Sequence, residues 1–134
     1  MLRLEIVTPE QKIYADDVDS VVIPGVEGEL GILPQHVPLM TQLLPGELRV
    51  MKAGEELRLA VGEGFVEIGA DKVAVLTDMA IKESEIDESA AEEAMKRAEE
   101  AMRSTKMSDE EHATVKASLQ KSLAQIRVKR RRGV

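Results

Sequence analysis

From Leu2 to Leu76 apolar and polar positions alternate. Leu2-Arg3-Leu4-Glu5-Ile6, Leu57-Arg58-Leu59-Ala60-Val61 and Val73-Ala74-Val75-Leu76 repeat with a period of two, which turns every second side chain toward a core and predicts half-buried strands. Turn residues punctuate the runs: Ala53-Gly54 and Gly69-Ala70-Asp71 stand between short strands at hairpin spacing, and Thr8-Pro9-Glu10 interrupts the first pair. No segment of this half has the length and period of a helix, so a parallel sheet with crossover helices is not expected. An antiparallel β-sandwich or barrel of short strands is.

Beyond Asp78 the pattern changes. The chain turns rich in Ala, Glu, Lys and Met, with no proline and Gly133 as its one glycine, which is helical material. Asp87 is placed to cap a helix with an apolar stripe of Ala90, Ala91, Ala94, Met95, Ala98, Ala101 and Met102. Ser108 with Glu111 three residues on reads as a capping box opening a second helix. Its expected inner face is Val115, Leu119, Leu123 and Ile126, with residues 103–107 as the connection. Two helices on a short link pack antiparallel, so the fold class is α+β: a sandwich over residues 1–84 and a two-helix hairpin over residues 85–134. The hairpin is expected to be held loosely. Each methyl-sized group buried contributes about 0.8 kcal/mol, against an ordering cost of about 1–2 kcal/mol per residue.

Composition narrows the function. With no cysteine there are no disulfides, thiolate nucleophiles or thiolate metal ligands, and a reducing compartment is the natural reading. No apolar run approaches the roughly 20 residues that span a bilayer, and no signal-like leader opens the chain, so attachment to a membrane is expected only through partners. One Phe, one Tyr and no Trp leave little to line a cofactor pocket or stack bases. The net charge of −7 is unevenly distributed, because no acidic residue follows Glu111 while seven basic ones do. Such a tail is suited to a negatively charged partner.

The usual chemical motifs are incomplete. Gly25, Gly28 and Gly31 suggest a phosphate loop, but Pro34 and Pro38 exclude the helix that must follow one. Asp16, Asp17 and Asp19 begin like a calcium loop and lack its glycine and distant glutamate. His36 and His112 fall in different structural units with no Cys partners to complete a zinc site, so no metal site is expected. No G-x-S-x-G elbow is present, and no residue is assigned catalysis.

The stretch Val21 to Met40, VVIPGVEGELGILPQHVPLM, followed by Pro45-Gly46-Glu47-Leu48-Arg49-Val50 and Gly62-Glu63-Gly64-Phe65-Val66-Glu67-Ile68, resembles the epsilon-subunit family of bacterial F-type ATP synthases. The resemblance covers nearly the whole chain and is strongest from Ile23 to Ile81. It implies a non-catalytic subunit of the central stalk, peripheral at the cytoplasmic face of the inner membrane. Its sandwich would grip the gamma subunit through an apolar outer surface and seat on the c ring through Glu29, Gly31 and His36, coupling ion flow to ATP synthesis. Its hairpin, when extended, would bring Arg127, Lys129, Arg130, Arg131 and Arg132 against a beta subunit of the alpha/beta assembly and inhibit ATP hydrolysis.

Family members often bind ATP through a motif of Ile or Leu, Asp, two variable residues, Arg and Ala. The segment here reads Ile86-Asp87-Glu88-Ser89-Ala90-Ala91, with alanine in place of the arginine. The resemblance therefore implies weak ATP binding or none, with Asp87 and Arg97 as the candidates and no other cofactor. Two other functions stand beside the rotor reading. A nucleotide-sensing regulator without a motor would bind ATP through Asp87. Nucleic-acid binding by the basic tail would show salt-dependent retention on DNA and is not the expectation.

Overall fold

The computed structural model describes residues 1–104 and 106–131. Ten strands come first: β1 (Leu2–Val7), β2 (Lys12–Val18), β3 (Ser20–Gly25), β4 (Gly28–Ile32), β5 (Leu39–Leu43), β6 (Gly46–Lys52), β7 (Glu55–Val61), β8 (Gly64–Ile68), β9 (Lys72–Thr77) and β10 (Ala80–Lys82). A 3₁₀ turn, Glu83–Glu85, then leads to α1 (Glu88–Met102) and α2 (Asp109–Arg130). The strands form one sheet in the order β10-β7-β6-β3-β5-β8-β9-β1-β2, with β4 paired to β3.

The sheet curls back on itself into a nearly closed sandwich. Where β6 approaches the β2–β3 corner, Asp19 N–H donates to the Met51 carbonyl at 2.8 Å and Ala53 N–H donates to Asp19 Oδ2 at 2.9 Å. Lys52 pairs with Asp16 at the same corner. Alternation does what its period requires: Leu2, Leu4 and Ile6 are buried while Arg3 and Glu5 face outward, and Ile23, Leu48, Leu59, Val66 and Val75 fill the same aliphatic core. The β6–β7 hairpin turns on Ala53 (φ 52°) and Gly54 (φ 80°), the two consecutive left-handed residues of a primed turn.

One pairing departs from the antiparallel expectation. β1 runs parallel to β9, with Leu4 beside Val73 and Ile6 beside Val75. No crossover helix is needed, because the chain reaches β9 through the whole of the sandwich.

Both helix starts are capped by the expected residues: Asp87 accepts from Ala90 N–H at 3.1 Å, and Ser108 Oγ accepts from Glu111 N–H at 3.1 Å. On α1 the expected stripe holds except at its start: Ala91 and Ala98 are buried, Ala94, Met95, Ala101 and Met102 are half-buried, and Ala90 is exposed in the first turn. The covered surface of α2 is broader than expected. In α2 the buried residues are Ser122, Ala124, Ile126 and Val128, so Ile126 is the one member of the expected stripe that is fully covered. The cause is that α2 packs against α1 and also against β6, β7 and the 3₁₀ turn. A helix covered on two sides has no single apolar stripe. Its contact with the sandwich is small, with Ala124 and Val128 set against Ala60 and Ile86 and flanked by Met79 and Ile81.

Candidate partner surfaces

The basic end of α2 is held by carboxylates from three parts of the chain. Lys129 Nζ lies 3.6 Å from Glu83 Oε1 and donates to the Glu83 carbonyl at 3.2 Å. Arg130 Nε lies 3.1 Å from Glu88 Oε2 on α1, and its Nη2 pairs with Glu92 one turn on. Arg131 Nη1 pairs with Glu47 on β6. Arg127 faces the same region, lining a cavity of about 450 Å³ with Glu29, Glu47, Arg49 and Arg131. Arg132, the last residue expected to contact a beta subunit, lies outside the described residues. The charges of Lys129, Arg130 and Arg131 are therefore engaged by the chain's own acids, through pairs that are partly exposed and screened by solvent.

Glu47, Arg49 and Arg58 complete this cluster. Arg49 Nη1 is 3.4 Å from Glu47 Oε1 and 3.1 Å from Glu29 Oε2. Arg58 Nη1 is 3.7 Å from Glu47 Oε2 and donates to the carbonyls of Val128, at 3.4 Å, and Arg131. Those carbonyls lie at the C-terminal end of α2, where helix carbonyls lack an intrahelical donor and where positive charge is favourable to the helix dipole.

The residues expected at the c ring lie on β4 and in the loop that follows it. Glu29 and Gly31 both lie on β4, opposite Pro24 and Val22 of β3, and Glu29 is turned to Arg49. His36 is in the loop after β4, half-buried, with Nδ1 2.6 Å from the Val37 carbonyl. Around it Leu33, Val37 and Met40 expose 64%, 75% and 65% of their surface, an apolar concentration that costs free energy in water. A β-carbon added at Gly31 would meet nothing within 4 Å, so internal packing gives no reason for glycine there.

A second apolar area lies on the outer face of β5, β8 and β9. Phe65 pairs with Leu76 across β8 and β9 and with Gln42 across β5 and β8, which sets Met40 on the same face one step along. The chain's one phenylalanine is 58% exposed and Leu76 is 51% exposed, whereas α2 covers β6 and β7.

The nucleotide candidates are separated. Asp87 is occupied by its capping bond, and Arg97 is exposed ten residues further along α1, a rise of about 15 Å. Arg130 is paired to Glu88 and Glu92, on the face of α1 that 3.6 residues per turn puts opposite Ala90, where the family arginine would stand.

Asp16, Asp17 and Asp19 have structural partners. Lys52 and Asp17 N–H hold the Asp16 carboxyl below its ordinary range, Asp17 is 3.8 Å from Arg3, and Asp19 accepts from Ala53 N–H. Among the described residues no group of three or more His, Cys, Asp or Glu side chains is placed to hold a metal ion. Among the same residues no helix is long and apolar enough to cross a membrane.

Sequence reasoning named the basic tail but missed its acceptors, Glu47, Glu83, Glu88 and Glu92. Glu88 and Glu92 at a spacing of four on one helix face were available as a signal. Glu47, 84 residues from Arg131, carried none.

Comparison with known proteins covers both halves. Residues 1–83 match the ATP synthase delta/epsilon chain β-sandwich domain, and residues 84–130 match the delta/epsilon chain long α-helix domain. The ATP synthase epsilon chain of Dehalococcoides mccartyi is 44% identical over 131 residues, 98% of this chain and 94% of that one. The ATP synthase epsilon chain of Halorhodospira halophila is 41% identical over 128 residues, 94% and 90% of the two chains. Among solved structures, a chain of the Euglena gracilis mitochondrial ATP synthase OSCP/F1/c-ring assembly superposes with a TM-score of 0.72 at 24% identity, covering 89% of this chain and 75% of that one. A chain of the Tetrahymena thermophila mitochondrial central stalk and c ring gives 0.62 at 14% identity, covering 96% of each. These two structures share the fold.

Proposed function

The chain belongs to the ATP synthase delta/epsilon chain family, and from that premise we propose that it is a non-catalytic central-stalk subunit, peripheral at the cytoplasmic face of the inner membrane. In this reading the sandwich binds the gamma subunit and rests on the c ring, coupling ion-driven rotation to ATP synthesis. The hairpin opens to bring its basic end against a beta subunit and so suppresses ATP hydrolysis.

The observation that carries the reading is the outer face of β5, β8 and β9. Burying Phe65 and Leu76 removes apolar surface worth about 25 cal/mol per Å², and nothing in the chain covers them among the described residues. This face fits the gamma subunit. The apolar loop around His36, with the open backbone at Gly31, fits a close contact with the c ring. The exchangeable ion pairs of Lys129, Arg130 and Arg131 suit a tail that trades its own acids for those of a partner.

Binding of purified gamma subunit to the chain and to Phe65→Ser and Leu76→Ser tests the proposal. Either substitution is expected to weaken binding at least tenfold while the sandwich stays folded; unchanged affinity in both removes this face as the gamma surface.

A further inference from the structure

Four features of the Glu47 site combine into a conformational device. First, Arg49 and Arg58 are directly opposed across β6 and β7, a like-charge pair that destabilises a sheet unless a counter-charge stands between them. Glu47 supplies it, contacting both. Second, Arg58 is the donor for the terminal carbonyls of α2, so strand β7 caps a helix from a different part of the fold. Third, Arg131 returns to the same Glu47 carboxylate, so one acid fastens both the strand arginines and the helix end. Fourth, the apolar contact beneath is small, built on two alanines, an isoleucine and a valine.

Glu47 is only partly satisfied. Its side chain is 13% exposed, and Oε2 is buried with no hydrogen-bond partner among the described residues. Arg58 at 3.7 Å attracts it without bonding it. A buried carboxylate oxygen without a donor carries a desolvation cost, and lifting α2 away would admit water to it. The closed arrangement thus combines charge attraction with a penalty that opening relieves.

We propose that Glu47, Arg58 and Arg131 form a latch that sets the balance between the docked and the lifted hairpin, with Glu47 as the shared acceptor. The inference rests on the reading of the hairpin as a mobile regulatory unit. It assigns that motion to a site no interface residue of the tail would identify: a strand acid and a strand arginine on the sandwich. Lifting α2 removes Arg131 from Glu47 and uncaps Val128 and Arg131, while Arg49 and Arg58 keep Glu47 as their counter-charge.

The absence of cysteine makes opening directly measurable. Val128→Cys, on the face of α2 against the sheet and 1% exposed, reacts with a thiol reagent only when the helix lifts. In the full-length chain its labelling rate is expected to rise about tenfold when Glu47→Gln or Arg131→Ala is added, the size expected for losing a charged hydrogen bond. Val66→Cys, wholly buried in the sandwich, reports in parallel and should keep its rate. Arg131→Ala leaves the sheet intact and decides the matter. An unchanged Val128→Cys rate in that variant overturns the latch, whatever Glu47→Gln does.

Suppression of ATP hydrolysis is measured on the same variants. A raised Val128→Cys rate with unaltered suppression keeps the latch and removes the inhibitory role. Unaltered labelling with suppression intact removes the latch alone.

Discussion

Gly64 approaches the Leu76 carbonyl so closely that a β-carbon at position 64 would lie well inside the 3.0 Å that real β-carbons keep. The obstacle is backbone on β9, which a rotamer change cannot relieve. Gly64→Ala is therefore expected to destabilise the chain by about 1–3 kcal/mol, read as a lower urea midpoint. Gly31→Ala, with open space around it, should shift the midpoint by less than about 0.5 kcal/mol. If the proposed c-ring contact is right, a bulkier Gly31→Leu would fold and still fail to assemble on the ring.

The helix caps make a local prediction. Asp87→Ala and Ser108→Ala each remove the side-chain acceptor for one N–H at a helix start, costing about 1 kcal/mol. Because the hairpin's contact with the sandwich is small, the loss should appear as faster amide exchange within α1 and α2 while the core strands keep their protection. Equal loss of protection in β1 and β9 would contradict it.

Glu5 and Asp16 determine an acid dependence. Lys72, hydrogen-bonded to Glu5, and then Lys12 hold the Glu5 carboxyl below its ordinary 4.5. Lys52 and the Asp17 amide hold Asp16 below its ordinary 3.8. A carboxyl lowered on folding adds stability that is present above its unfolded pKa and is lost as pH falls through the folded value. The denaturant midpoint should therefore fall from pH 5 toward about pH 3. Lys52→Met should flatten the part due to Asp16, and an unflattened profile would show that this pair does not contribute.

The strands were readable because burial on one face imposes a period of two, and Leu2, Leu4 and Ile6 display it plainly. The caps were readable because Asp87 and Ser108 act within three residues of themselves. Pairing was not. β1 and β9 carry the same alternation as every other strand, and their parallel register depends on contacts about 70 residues apart. The second buried face of α2 was hidden for a related reason: Ala124 is too small to mark a stripe, and Ala60 on the sheet, against which it packs, lies far back in the chain. At the candidate surfaces the basic tail stood out as a run of charge, whereas Glu47 and Arg58 looked like ordinary outward residues of amphipathic strands.

Nucleotide binding separates the rotor reading from a free-standing sensor. With Ala90 in place of an arginine, Asp87 committed to its cap and Arg130 neutralised by Glu88 and Glu92, calorimetry of the isolated chain with ATP is expected to show no micromolar binding. Micromolar binding abolished by Asp87→Ala would favour the sensor.

The central claim is tested most directly by ATP hydrolysis in a reconstituted alpha-beta-gamma complex titrated with the full-length chain and with a chain ending at Glu85. Both are expected to bind, and only the full-length chain should suppress turnover. Equal effects from the two chains would contradict the inhibitory hairpin and leave a coupling role in the stalk. Failure of both to bind would contradict the proposed place in the central stalk.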